Sequence, residues 1–152
     1  MTETSQIHVQ IHGTCIAIDE TAVIFLGPSG SGKSDLALRL IDEGATLIAD
    51  DRIDISANEK NLTATAPQHI VGLLEVRGMG IARIDYKQQG DVALAFEMTT
   101  PEHIERLPHP AFWEALDWQI PLMKLDPFAP SACAKVRLAI KSLKQPIFIK
   151  SD

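Results

Sequence analysis

The sequence has 152 residues, with 14 Lys and Arg against 20 Asp and Glu and a formal net charge of −6. That length suits one domain around one core, and an acidic balance without a basic run argues against nucleic acid as the main partner. No apolar stretch approaches the roughly 20 residues that cross a bilayer as a helix. The opening residues 1–6 are polar and acidic, unlike a signal peptide, so the chain reads as cytoplasmic with no membrane partner. Cys15 and Cys133 are isolated, lack metal-ligand spacing, and read as buried thiols of a reducing compartment.

In chain order, two short apolar runs at 7–11 and 14–18 flank His12-Gly13 and predict two strands joined by a tight turn. Residues 21–26, Thr-Ala-Val-Ile-Phe-Leu, form an apolar run rich enough in Val, Ile and Phe to be a buried strand. It runs straight into Gly27, Pro28, Ser29, Gly30, Ser31, Gly32, Lys33 and Ser34, a complete G-x-x-x-x-G-K-[ST] phosphate loop. Residues 35–43 follow with Leu36, Ala37, Leu40 and Ile41 on one helical face and Gly44 as a stop. Strand, glycine loop and helix is the setting in which this motif acquires a mechanism.

Each residue type has a task there. Gly27, Gly30 and Gly32 can take backbone angles that a Cβ forbids, so consecutive amides can turn inward around an anion. The helix start adds free N–H groups and the positive end of its dipole. Lys33 would reach the β- and γ-phosphates of ATP, and the Ser34 hydroxyl would ligate Mg²⁺.

Residues 45–49 predict a second buried strand that ends in Asp50-Asp51, with a right-handed crossover placing it parallel to the first and its end beside the loop. One of two acids there could serve the metal while the other accepts a proton from an attacking hydroxyl. The plainer alternative is that both acids cap turn amides. His12 could contact Asp50 and tune it as a base, although a histidine in a turn is more often simply a surface residue. Further on, a hairpin is expected about residues 58–61, strands at 81–84 and 92–96, and a capped helix start at Thr100-Pro101-Glu102. A strand broken at Pro121 and a last helix capped by Ser131 complete the chain, the helix presenting Ala132, Val136, Ala139, Ile140 and Leu143. Residues 72–80 carry three glycines with Glu75 and Arg77, a pattern odd for helix or strand. They allow close approach to a ligand, with Glu75 on Mg²⁺ and Arg77 on phosphate, or else an exposed ion pair on a hairpin. The fold class is α/β, with many strands for its helix count.

His12-Gly13, the loop 27–34, Leu47-Ile-Ala-Asp-Asp51 and Leu73-Leu-Glu-Val-Arg-Gly-Met-Gly-Ile81 together resemble HPr kinase/phosphorylase in order and spacing. The resemblance covers residues 7–143 and only that family's catalytic domain, implying a truncated, single-domain form over 1–152 without the N-terminal regulatory domain. It implies a P-loop core like that of phosphoenolpyruvate carboxykinase, a hexamer, and the cofactors ATP and Mg²⁺. The implied reaction moves the γ-phosphoryl group to a serine of the phosphocarrier protein HPr of the sugar phosphotransferase system. By the same resemblance, Lys33 is the ATP lysine and Ser34 and Glu75 are metal ligands. Asp50 is the proton acceptor and His12 its neighbour, with Asp51 left to the metal. After Ile81 the family's longer loop with a catalytic arginine has no counterpart in the short stretch 83–91. At 126–130 Asp-Pro-Phe-Ala-Pro stands where the family has a proline-glycine-arginine-asparagine segment tied to dephosphorylation. The kinase direction rests on motifs that are present, and the reverse phosphorylase direction on segments that differ. The rival functions are kinase of a small hydroxylated metabolite and nucleotide-sensing module without turnover.

Overall fold

Successive residues of a strand point to opposite faces, and residues 21–26 have nothing but apolar side chains between Thr21 and the glycine loop. In the computed structural model, which describes residues 7–149, they form β3 (Thr21–Leu26), buried on both sides. Val23 and Phe25 face one core with the helices, while Ala22 and Ile24 face a second. Two strands precede β3, namely β1 (Ile7–His12) and β2 (Thr14–Ile18). After the loop come α1 (Lys33–Asp42), β4 (Thr46–Ala49), β5 (Arg52–Ala57) and β6 (Leu62–Thr65). A separate two-stranded hairpin follows, β7 (Leu73–Val76) with β8 (Gly80–Arg83), and then the long β9 (Gln89–Met98). The chain closes with β10 (Ala111–Ala115), β11 (Trp118–Leu125) and α2 (Ala132–Ser142). The polar stretch 1–6 lies outside the described residues.

The main sheet runs β1-β5-β6-β9-β3-β2-β4, with β11 attached to β9 and β10 to β11. β9 pairs in parallel with β3 along one edge, and its other edge is divided. β6 takes residues 89–91 and β11 takes 95–98. The helical face is sealed by Leu36, Ala37 and Leu40 of α1 and by Ala132, Val136 and Ala139 of α2. They cover Phe25 and Phe96, whose ring centroids lie 6.0 Å apart with planes tilted by 44°. On the opposite face Ile53, Ile55, Leu62 and Ala64 pack with Ile24, Ala95 and Ile120, and Trp113 and Trp118 edge in beside them. Cys15 and Cys133 are free and buried, and full burial pushes the Cys15 thiol well above the ordinary thiol range.

Several expectations are corrected. β1 and β2 do not form a hairpin, since β1 pairs with β5 while β2 pairs with β3 and β4. The chain passes between them at Gly13, where a Cβ would come within 2.9 Å of the Phe25 carbonyl oxygen. β4 does run parallel to β3, but β2 lies between them, antiparallel to both. The glycine-rich stretch 72–80 is a hairpin whose turn is closed by Met79 N donating to Val76 O at 2.9 Å. At residues 101–103 there is a single 3₁₀ turn, and the Thr100 hydroxyl pairs with His103 Nδ1 rather than with a backbone amide. Ser131 precedes α2 without a side-chain capping bond, and Leu143 follows the helix at its C-cap, 39% exposed. β11 is continuous through Pro121, because parallel pairing with β9 starts one residue later at Leu122. The turn into it uses Leu116 and Asp117 at φ 50° and 69°, the left-handed geometry of a tight hairpin.

Phe25→Ala should lower the unfolding free energy by about 3–5 kcal/mol, the usual cost of emptying a buried aromatic site. Phe112→Ala, on the half-exposed strand β10, should stay within about 0.5 kcal/mol. Urea unfolding followed by circular dichroism measures both.

Candidate functional site

Among the described residues only three polar side chains are buried, Thr14, Lys33 and Asp50, and they lie together where β2, β3 and β4 meet the start of α1. The loop between β3 and α1 is shaped by its glycines. Gly27, Gly30 and Gly32 sit at φ 151°, 83° and 103°. At Gly32 a Cβ would fall 2.7 Å from Pro127 Cγ and 2.9 Å from Phe128 Cζ, so the segment before α2 packs directly on the loop. The Arg39 guanidinium holds that segment by donating to the Pro127 carbonyl.

Lys33 opens α1 and folds its side chain back, donating from Nζ to Gly27 O at 2.7 Å and to Pro28 O at 2.8 Å. Burial lowers its pKa from the ordinary lysine value, and the charges of Asp50 and Asp51 oppose that shift. Added negative charge, such as a phosphate, would act in the same sense as the two aspartates. Ser34, one residue on, donates to Asp50 Oδ1 at 2.7 Å.

Asp50 follows β4, and both oxygens of its carboxylate accept hydrogen bonds. Oδ1 accepts from Thr14 Oγ1 at 2.9 Å as well as from Ser34, and Oδ2 accepts the backbone N–H of Glu75 at 3.1 Å. Asp50 thus lies against the end of the glycine loop, as expected, and also ties the β7–β8 hairpin to it. Asp51 points elsewhere. It is a non-glycine residue at φ 80°, its carbonyl accepts from Gly13 N at 3.1 Å, and its side chain is 67% exposed. The nearest histidine belongs to it. His12 Nδ1 lies 3.8 Å from Asp51 Oδ1, so the expected contact of His12 with Asp50 gives way to one with Asp51. Arg52 Nε is 4.0 Å from the other oxygen of Asp51.

Glu75 is held at the site through its backbone while its side chain is exposed on β7. Arg77 is exposed in the hairpin turn, and among the described residues neither makes an ion pair. Pro28, Ser29 and Gly30 are exposed at the loop crest, and Ser31 N donates to Pro28 O at 3.1 Å. Thr14 is the residue that sequence reasoning missed. Its signal was a lone hydroxyl at the head of the otherwise apolar β2, two residues after His12.

Among the described residues no three His, Cys, Asp or Glu side chains stand close enough to cage a metal by themselves. The donors present are a hydroxyl and carboxylates. That set fits Mg²⁺, which usually takes one or two protein ligands and completes its shell with phosphate oxygens and water. It does not fit a soft-metal site.

The model of the HPr Serine kinase C-terminal domain family matches residues 4–127. HPr kinase/phosphorylase of Limosilactobacillus reuteri (strain DSM 20016) is 46% identical over 72 residues, 47% of this chain and 22% of that protein. The HPr kinase/phosphorylase of Clostridium acetobutylicum is also 46% identical over 72 residues, covering 24% of its length. That of Caldicellulosiruptor bescii is 45% identical over 71 residues and 23% of its length. The matched segment thus spans about a quarter of the curated relatives. In three dimensions the chain is similar to a structure described as the Hpr(Ser) kinase/phosphatase from Coxiella burnetii. The TM-score is 0.76 at 24% identity, over 91% of this chain and 96% of that one, and this establishes the strand-rich α/β fold.

Asp50→Ala would leave two hydroxyls and an amide without their acceptor and should cost about 1–3 kcal/mol of stability. Asp51→Asn keeps a residue type that tolerates positive φ and should change stability by less than about 0.5 kcal/mol. Paired denaturant titrations of the two variants check the contrast.

Proposed function

Because the chain belongs to the HPr Serine kinase C-terminal domain family, we propose that it is an ATP- and Mg²⁺-dependent protein serine kinase whose acceptor is an HPr-like phosphocarrier protein. The observation that carries this reading is the convergence of Lys33, Ser34 and Asp50 at a loop whose three glycines all take positive φ. With such an acceptor the protein would work in the cytoplasm. The hexamer implied by the resemblance is kept as a proposal alongside.

The loop 27–34 would hold the β- and γ-phosphates with backbone N–H groups, reinforced by the N-terminal end of α1. Lys33 would trade its carbonyl partners for phosphate oxygens. Ser34 would give a lone pair to Mg²⁺ while its O–H remains on Asp50, and Glu75 would approach from the hairpin side. Mg²⁺, when bound, supplies charge neutralisation on the phosphates.

The division of labour between the two aspartates follows from their surroundings. Asp50 is 6% exposed and its oxygens already accept three hydrogen bonds, which suits a group that orients a metal ligand. Asp51 is exposed and has His12 and Arg52 beside it, which suits a group that receives the proton of an incoming serine. This reverses the order expected from the sequence, in which Asp50 was the acceptor and Asp51 served the metal. His12 would then orient Asp51 and stabilise its charge. Catalysis is otherwise positioning of nucleotide and serine, as in other phosphoryl transfers.

With radiolabelled ATP, Mg²⁺ and purified HPr, label should appear on an HPr serine. Lys33→Ala should lose nucleotide binding. Asp51→Asn should bind nucleotide normally and transfer about 10²–10⁴-fold more slowly, the usual contribution of a positioned base. Label absent from HPr despite nucleotide binding would overturn the acceptor assignment, and undiminished transfer in Asp51→Asn would remove it from the base role.

A further inference from the structure

We propose that Thr14 is a positioning residue for the Mg²⁺ side of the site, its hydroxyl holding the Asp50 carboxylate in the orientation that presents Ser34 to the cation. This inference rests on the nucleotide-binding reading above and adds a residue to it.

Thr14 is wholly buried, and the rest of β2 is Cys15, Ile16, Ala17 and Ile18. The strand itself does not need a hydroxyl there, since valine has nearly the same shape and a higher preference for buried strands. A buried hydroxyl without a partner costs free energy, so its presence has to be explained by what it bonds. Its partner is Asp50 Oδ1 at 2.9 Å. The pairing of β2 with β4 shifts at this end of the strands, Cys15 standing opposite Ala49 and Ile16 opposite Leu47. Ile48 is thus an extra residue in β4, a bulge of the kind that re-aims side chains beside functional sites. Asp50 comes two residues after it.

Oxygen valence gives Thr14 its particular role. A carboxylate oxygen offers about two lone-pair directions. On Asp50 Oδ1 both are taken, one by Thr14 and one by Ser34, and Oδ2 is bonded to Glu75 N. Oδ1, the oxygen that holds Ser34, is thus saturated and is set up as an orienter of Ser34 rather than as a ligand itself. Because Ser34 spends its proton on Asp50, both lone pairs of its oxygen remain for a cation. Without the Thr14 hydroxyl, Oδ1 has a free lone pair and the carboxylate can rotate away from Ser34. Removing such an outer partner typically weakens metal binding by about 10- to 100-fold.

The test titrates Mg²⁺ into the full chain with a fluorescent ATP analogue and reads nucleotide binding. In Thr14→Val the half-saturating Mg²⁺ concentration should rise about tenfold or more. Affinity for the analogue in EDTA should stay as in wild type, and Thr14→Ser should restore the wild-type Mg²⁺ dependence. If Thr14→Val does not fold by circular dichroism, Thr14→Ala serves in the same comparison. A variant whose Mg²⁺ titration overlays the wild type overturns the role of Thr14, as does equal weakening with and without Mg²⁺, which marks a purely structural effect. A wild-type protein that binds no nucleotide at any Mg²⁺ concentration overturns the nucleotide reading itself and the role of Thr14 with it.

Discussion

The site depends on one buried carboxylate and the three hydrogen bonds it accepts. Asp50 receives Thr14 from β2, Ser34 from α1 and the Glu75 amide from β7, so three segments distant in sequence are fixed relative to one another by a single group. A charge this buried is costly unless its acceptor capacity is filled. Here the bonds that stabilise the charge also assemble the site. The glycine loop, the strand behind it and the hairpin beside it cannot move independently without exposing an unmet donor.

The rest of the sheet serves this corner. β2 lies between β3 and β4, so the glycine loop leaves one strand while the tandem acids leave another, with Thr14 on the strand between them. The antiparallel insertion distinguishes this fold from an alternating parallel arrangement, in which β3 and β4 would be neighbours. On the far side of the loop, Pro127 and Phe128 press on Gly32 and Arg39 anchors them, which closes the loop between the sheet and the segment leading to α2.

Much of this was legible in the sequence because the relevant signals are local. A strand, a glycine loop and a helix in succession announce themselves by composition, and the structure places β3 and α1 within two residues of the expected positions. The hairpin of β5 and β6 around residues 58–61 follows from its turn residues in the same way. What stayed hidden depends on distant partners. Gly13 resembles a turn glycine, but what it avoids is the Phe25 carbonyl on another strand. β10 and its hairpin with β11 turn on Leu116 and Asp117 at positive φ, where the common signal would be Asn-Gly. The two aspartates look equivalent as letters. Only the bulge at Ile48 and the positive φ of Asp51 send one inward and the other towards His12.

The divided edge of β9 has a mechanical consequence. This strand alone touches β3 along one side and both β6 and β11 along the other, so it joins the β5–β6 region, the central strands and the β10–β11 hairpin. Fraying of β1 or β10 at the margins leaves that junction whole, and such partial openings are the low-energy excursions of a folded chain. Loss of β9 would remove the ladder bonds that link all three regions at once. The glycine loop, continuous with β3, is thereby mounted against a strand that is paired on both edges.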